Sequence, residues 1–179
     1  LLSMVLPPVV GGVALFFALG RRGLVGQYLD EWFGITLPFT TAGVVVAQTF
    51  VAMPFLVITV EAALRQLDPR LEDASRTLGG SRWYTFRRVT LPAIRPALTA
   101  GAVLAWARAL GEFGATITFA GNFPGTTQTM PLAVYLSLET NPEEAIVLAL
   151  VMITVSFLVL LALRDRWFGA ATRAATVAP

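Results

Sequence analysis

The chain has 179 residues, 56% hydrophobic and only 13% charged, against roughly 25% charged in soluble globular domains, so much of its surface is expected to meet lipid rather than water. Zero Cys and zero His exclude thiolates, imidazole bases, disulfides and the usual zinc and copper ligands. All 13 basic residues are Arg, so there is no lysine for a Schiff base or for the phosphates of a P-loop nucleotide.

The chain opens at Leu1 inside an apolar run, with no charged n-region or small-residue cleavage site; this start reads as an N-terminal truncation. A spanning helix needs about 20 mostly apolar residues to cross a hydrocarbon core of about 30 Å. The first candidate, 1–20, is uncharged, but Pro7-Pro8 and Gly11-Gly12 predict a kink or irregular backbone that neighbouring helices must satisfy. The second, 39–60, is likewise uncharged. A polar, Arg-rich loop over 64–95 separates it from the third, 96–120, which is apolar apart from Arg108 and Glu112. The segment after Gly121 is first rich in Gly, Pro, Asn and Thr, then apolar from Met130 to Leu138, too short to span and suited to a re-entrant or interfacial helix or a packed loop. The fourth candidate, 145–163, is a clean apolar span, and the residues after Phe168 read as a frayed tail.

Orientation follows from arginine placement, because cytoplasmic flanks carry the positive excess. One side holds Arg65, Arg70, Arg76, Arg82, Arg87, Arg88, Arg95, Arg164, Arg166 and Arg173, and the other only Arg21 and Arg22; these ten and two, with Arg108 in the third span, account for all 13. The 64–95 loop and the C-terminus are therefore expected in the cytoplasm. Arginines beside apolar spans also make a lipid membrane the partner of this basic chain (sequence pI about 9.7) and set nucleic acid aside.

Within the loop, Asp68-Pro69 starts a turn and Leu71 to Leu78 reads as a short helix closed by Gly79-Gly80. Trp83, Phe86, Val89 and Leu91 then alternate with basic residues until Pro92 and Pro96. Two readings stay open on these residues alone: a lever held between spanning helices, or an amphipathic loop on anionic lipid with Arg82, Arg87 and Arg88 at headgroups. In the third span, Arg108 and Glu112 stand four apart and are expected to pair on one helix face. Intramembrane charge costs at least about 2.5 to 3.5 kcal/mol on insertion scales, so the pair is either a self-neutralising structural bridge or part of a gate or pore lining. Ala107, Gly111 and Ala115 have the spacing of a close helix contact.

The stretch Leu71-Glu72-Asp73-Ala74-Ser75-Arg76-Thr77-Leu78-Gly79, followed after nine residues by Val89-Thr90-Leu91-Pro92, resembles the EAA loop of bacterial ABC importer permeases. That pattern is Glu-Ala-Ala, three residues, Gly, nine residues, Ile, any residue, Leu-Pro; Asp73, Ser75 and Val89 depart from it conservatively, and the Gly79 to Pro92 spacing is kept. The run Arg108 to Thr116, then Phe119-Ala120-Gly121-Asn122 and Pro124 to Pro131, resembles the molybdate permease subgroup, as does Leu6 to Gly12. Sulfate and thiosulfate permeases are similar through Leu110 to Gly114.

The resemblance implies an all-α polytopic membrane protein: one ABC transmembrane type-1 permease domain over 1–179, a helical bundle with roughly its first two spans missing. It implies no catalysis and no cofactor, with ATP hydrolysed by a separate ABC ATPase subunit. Selection of the ion would lie in an extracytoplasmic oxyanion-binding protein, and the permease would pair with a second copy of itself in the cytoplasmic (inner) membrane. Glu72, Asp73, Ala74, Ser75, Gly79, Leu91 and Pro92 would couple to the ATPase. Arg108, Glu112, Thr116 and Thr118 would line the path or gate, with Asn122 a further candidate by type. Within this class sulfate, thiosulfate or tungstate transport is the alternative to molybdate, and a passive channel or scaffold the alternative outside it. An intramembrane enzyme fails on inventory, since the chain lacks His and its four spans lack Asp.

Overall fold

The computed structural model describes the backbone over residues 2–175 and side chains over 4–162, and every regular element among them is helical. These residues form two compact units, one running to Ala120 and one from Gly121. Among the described residues, three helical stretches are long and apolar enough to cross a membrane: 41–66, 82–110 and 142–162.

The first unit does not carry the uninterrupted span expected over 1–20. Helix α1 (Leu2–Val5) stops before the proline pair and α2 (Pro8–Leu19) starts on it. Proline lacks the N–H that a helix interior requires but is well placed at a helix start, where that donor has no intrahelical partner. At 12 residues, α2 is about 18 Å long, well short of the hydrocarbon thickness. A short helix not anticipated from the sequence, α3 (Gly26–Phe33), follows and ends on Gly34 at φ +64°. Asp30 on α3 accepts a hydrogen bond from Arg21 at 2.8 Å, which raises the arginine pKa.

Helix α4 (Thr41–Gln66) is capped by Thr40, whose hydroxyl accepts from the Gly43 N–H at 3.1 Å and donates to the Leu37 carbonyl at 2.7 Å. It runs one and a half turns beyond the expected end at Val60, and Glu61 and Arg65 pair at 2.7 Å one turn apart on this extension. After α5 (Pro69–Thr77), a second long helical stretch is assembled from α6 (Arg82–Thr85), a π turn (Phe86–Thr90) and α7 (Leu91–Leu110). The π turn forms where the Leu91 N–H reaches back to the Phe86 carbonyl. Pro92 and Pro96, just beyond it, supply no donors to the helical ladder.

The span expected over 96–120 is thus displaced and broken. It begins at Arg82, ends at Leu110, and resumes after Gly111, Glu112 and Phe113 as α8 (Gly114–Phe119). Ala107, Gly111 and Ala115 therefore do not form one contact stripe: a side chain at Gly111 would meet open space, whereas Ala115 is fully buried. Helix α8 packs on α2 almost backbone to backbone. A Cβ on Gly12 would lie 2.7 Å from the Ala115 carbonyl oxygen and would also collide with the Thr118 hydroxyl, and one on Gly114 would lie 3.0 Å from the Val9 nitrogen. Leu15, Ala47, Val51, Ala115 and Phe119 make a shared core of α2, α4 and α8. Farther along, α7 approaches α4 at Gly101, where a Cβ would lie 3.0 Å from Leu56 and 3.1 Å from Thr59.

In the second unit, the Phe123 carbonyl accepts from the N–H groups of Thr126, Thr127 and Gln128 at 3.1, 2.9 and 3.0 Å, and the Thr127 hydroxyl accepts from the Phe123 N–H at 2.9 Å. This turn leads into α9 (Met130–Thr140) and α10 (Pro142–Ala175), which pack together. The backbone of α10 continues past Phe168, where the sequence suggests a tail; the side chains of Arg164, Arg166 and Arg173, used for orientation, lie outside the described residues.

The α2–α8 contact makes a testable contrast. Replacing Gly12 with Leu is expected to overpack it at a cost of about 1–3 kcal/mol, lowering the thermal midpoint of the detergent-solubilised protein by several degrees. Gly111→Ala, at a position with free space, should leave that midpoint nearly unchanged.

Candidate functional site

Two places bring the sequence-predicted site residues together. The first is α5, whose sequence specifies both of its ends. Asp68 Oδ1 accepts from the Arg70 N–H at 2.9 Å and Pro69 occupies the first turn. At the other end the Gly80 N–H bonds the Ser75 carbonyl and the Gly79 N–H bonds the Arg76 carbonyl, both at 2.9 Å. Gly79 sits at φ +82°, a Schellman closure that favours glycine. The second glycine is needed for a different reason: a Cβ on Gly80 would stand 2.7 Å from Ser75 Oγ.

Two hydroxyl contacts strap this helix to the base of the long stretch that follows. Thr90 donates to Glu72 Oε1 at 2.7 Å, and the Ser75 and Thr85 hydroxyls lie 2.8 Å apart in a buried contact. Arg76 adds longer ion pairs to Glu72 at 3.5 Å and Asp73 at 3.9 Å, exposed enough to contribute little. The predicted coupling residues therefore divide. Glu72 and Ser75 face inward and hold the helix, whereas Asp73, Ala74 and Gly79 lie on the exposed rim beside Leu78, which is 89% exposed. Leu91 and Pro92 lie beyond the π turn. Thr85 and Thr90 were not singled out as anchors from the sequence; a hydroxyl inside a basic, aromatic stretch has no local signature until its partner is known.

The second place is the break after α7. Arg108 and Glu112 do pair, with Nη1 to Oε2 at 2.7 Å, but not on one continuous helix. The other carboxylate oxygen, Oε1, accepts from the Ala115 N–H at 2.8 Å. Glu112, 1% exposed, thus closes the start of α8 and ties it to a side chain of the last turn of α7. Its charge lies at the positive end of α8, and its partner Arg108 sits in the last turn of α7, where a cation is favourable. Thr116 is fully buried, its hydroxyl without a hydrogen-bond partner among the described residues. Thr118 instead donates to the Gly114 carbonyl at 2.8 Å and lies 3.5 Å from the Val9 carbonyl, at the α2–α8 contact. Asn122 belongs to the second unit, where its Oδ1 is buried and unpartnered.

Residues 1–174 match the model of the binding-protein-dependent transport system inner membrane component family. The chain belongs to that family. This member is accordingly a multi-pass inner-membrane protein of the ABC permease class. Among its relatives, the molybdenum transport system permease protein ModB of Mycobacterium tuberculosis is 51% identical over 166 residues, covering 93% of this chain and 62% of the relative. ModB of Escherichia coli K12 is 43% identical over 172 residues, covering 96% of this chain and 75% of the relative. The sulfate transport system permease protein CysT of Escherichia coli K12 is 39% identical over 160 residues, covering 89% and 57%. The chain thus spans somewhat less than two thirds of the mycobacterial relative's length.

Breaking the buried pair from one side leaves a charge without compensation, which costs about 3–5 kcal/mol. Arg108→Gln is therefore expected to lower thermal stability more than the double variant Arg108→Gln with Glu112→Gln, in which no buried carboxylate is stranded and a neutral amide oxygen still accepts from Ala115. Thermal unfolding of both variants in detergent checks the order; losses that simply add would contradict it.

Proposed function

We propose that this permease is the membrane-spanning subunit of an ATP-driven importer of molybdate, coupled through α5 to a separate ATPase and supplied by an extracytoplasmic oxyanion-binding protein. The observation that carries the reading is the mounting of α5. Its inner face is tied to the Arg82–Leu110 stretch through Glu72 and Ser75, while its outer rim of Asp73, Ala74 and Leu78 is exposed. A helix held this way transmits a push on its rim as rigid-body motion of the span behind it. Movement of the ATPase would thereby become alternating access, with no covalent chemistry in this chain. Gly79 sets the exit angle of α5, and Leu91 and Pro92 join the lever to the span.

The loop and the C-terminus face the cytoplasm in this reading, as the arginine distribution supports. Two copies of the permease form the pathway within a single type-1 domain each. Arg108, Glu112 and Thr116 stand at the gate: the pair holds the α7–α8 break closed, and Thr116 offers a buried hydroxyl beside it in sequence. Thr118 shapes the same segment through its packing against α2. Molybdate is favoured by the names of the relatives at 51% and 43% identity. Sulfate is the second reading, supported by the 39% identical sulfate permease.

The test is uptake in vesicles containing the permease expressed from its complete gene with its ATPase and binding protein. ATP-dependent accumulation of labelled molybdate is expected to resist excess sulfate. Replacing Gly79 with Val should abolish uptake while the permease still inserts. Equal competition by sulfate would move the substrate to the second reading, and failure of both ions to enter would refute oxyanion transport.

A further inference from the structure

A groove of about 960 Å³ opens where α6, the π turn and the start of α7 meet, with Arg87, Arg88 and Arg95 on its walls beside Ser81, Trp83 and Tyr84. No carboxylate lines it. Arg65, Arg76 and Arg108 each have an acidic partner within one helical turn, whereas Arg87, Arg88 and Arg95 have none among the described residues. Three uncompensated guanidinium groups around one concavity form an anion site, and guanidinium is the side chain best matched to a phosphate.

Position along the helix selects which phosphate. Arg95 is the last charge before the uncharged run from Pro96 to Ala107, so it stands at the hydrocarbon edge. Arg88 and Arg87 precede it by seven and eight residues, about 10–12 Å of helix. The headgroup layer is about 5–8 Å thick on each side, and arginine side chains snorkel over several ångströms; the three guanidinium groups thus cover the depth of that layer. Trp83 and Tyr84, 68% and 55% exposed, are the residue types that concentrate at the headgroup level. The groove is far larger than a free phosphate ion needs, and Leu91 and Pro92 at the start of α7 give its lining an apolar part.

We infer that this groove binds an anionic phospholipid of the surrounding bilayer, its phosphodiester held by Arg87, Arg88 and Arg95 and its headgroup against Trp83 and Tyr84. The bound lipid joins the π turn to α7 and so braces the base to which α5 is strapped. This inference rests on the membrane placement of the Arg82–Leu110 stretch and not on which ion is carried, so a negative molybdate result leaves it standing.

The experiment is native mass spectrometry of the complete permease with its ATPase, purified in mild detergent with equal amounts of phosphatidylglycerol and phosphatidylcholine. The wild type is expected to retain phosphatidylglycerol preferentially, undisturbed by excess inorganic phosphate. Each arginine near a charged surface contributes on the order of fivefold to anionic lipid binding, so Arg88→Gln with Arg95→Gln should weaken retention by roughly tenfold or more. Arg65→Gln, whose partner is Glu61, should not weaken it. If the double variant fails to fold, Trp83→Ala with Tyr84→Ala, which keeps every charge, should still reduce retention several-fold. Equal retention of both lipids by the wild type, undiminished retention in the variants, or displacement by inorganic phosphate would each overturn the inference. So would loss of ATPase copurification in the arginine variant with lipid retention intact, which would make the groove a protein contact.

Discussion

A chain in hydrocarbon has no water with which to satisfy backbone N–H and C=O groups, so every interruption of a helix must be closed from within. The permease has several such interruptions, and each has a named closure. At residues 7 and 8 the prolines start α2 with donors already missing. Thr40 caps α4 through its hydroxyl. The costliest break, between α7 and α8, is closed by a charge: one Glu112 oxygen takes the Ala115 N–H and the other takes Arg108. Oε1 is hydrogen-bonded, while Oε2 has no hydrogen-bond partner among the described residues and is compensated by the Arg108 charge alone.

From this closure follows the geometry around it. Ending α7 at Leu110 frees the next residues to turn back as α8 and lie on α2, with Gly12 and Gly114 allowing the two backbones to touch. The contact buries Phe119 and Ala115 against Leu15, Ala47 and Val51. A continuous helix through Glu112 would have carried those residues away from that core. The pair is therefore a structural bridge on which the local fold depends.

The α5 loop meets a different problem, holding a short, polar helix in a fixed place. Nine residues of helix are marginal alone in water, so rigidity has to come from tertiary contacts. The Glu72–Thr90 and Ser75–Thr85 hydrogen bonds provide it. Both anchoring hydroxyls, Thr85 and Thr90, lie within the Arg82–Leu110 stretch itself, so α5 is tied directly to the base of that stretch. The large exposed apolar residues of α10, among them Ile146, Leu150, Ile153 and Phe157, show how little of the apolar surface this chain buries by itself; lipid or neighbouring helices must cover the remainder.

Composition and local pattern were enough to establish a polytopic helical membrane protein, the approximate positions of two of its spans, and the existence and ends of α5, because hydropathy, proline and glycine act over a few residues. The family entered through the resemblance of the loop to a known pattern, which is also local in the sequence. The pairing of Arg108 with Glu112 was legible as a four-residue separation, but its setting was not. A helix through residues 96–120 and one broken at Gly111 carry the same apolar composition, and only the fit of α8 on α2, with Glu112 bonding the Ala115 N–H, makes the broken form the satisfied one. Likewise nothing local marks Thr85 and Thr90 as anchors, or assigns Gly80 to close approach rather than to a turn. Those roles exist only once α5 folds back on the residues that follow it, since a hydrogen bond across ten or eighteen positions is a property of the packed chain.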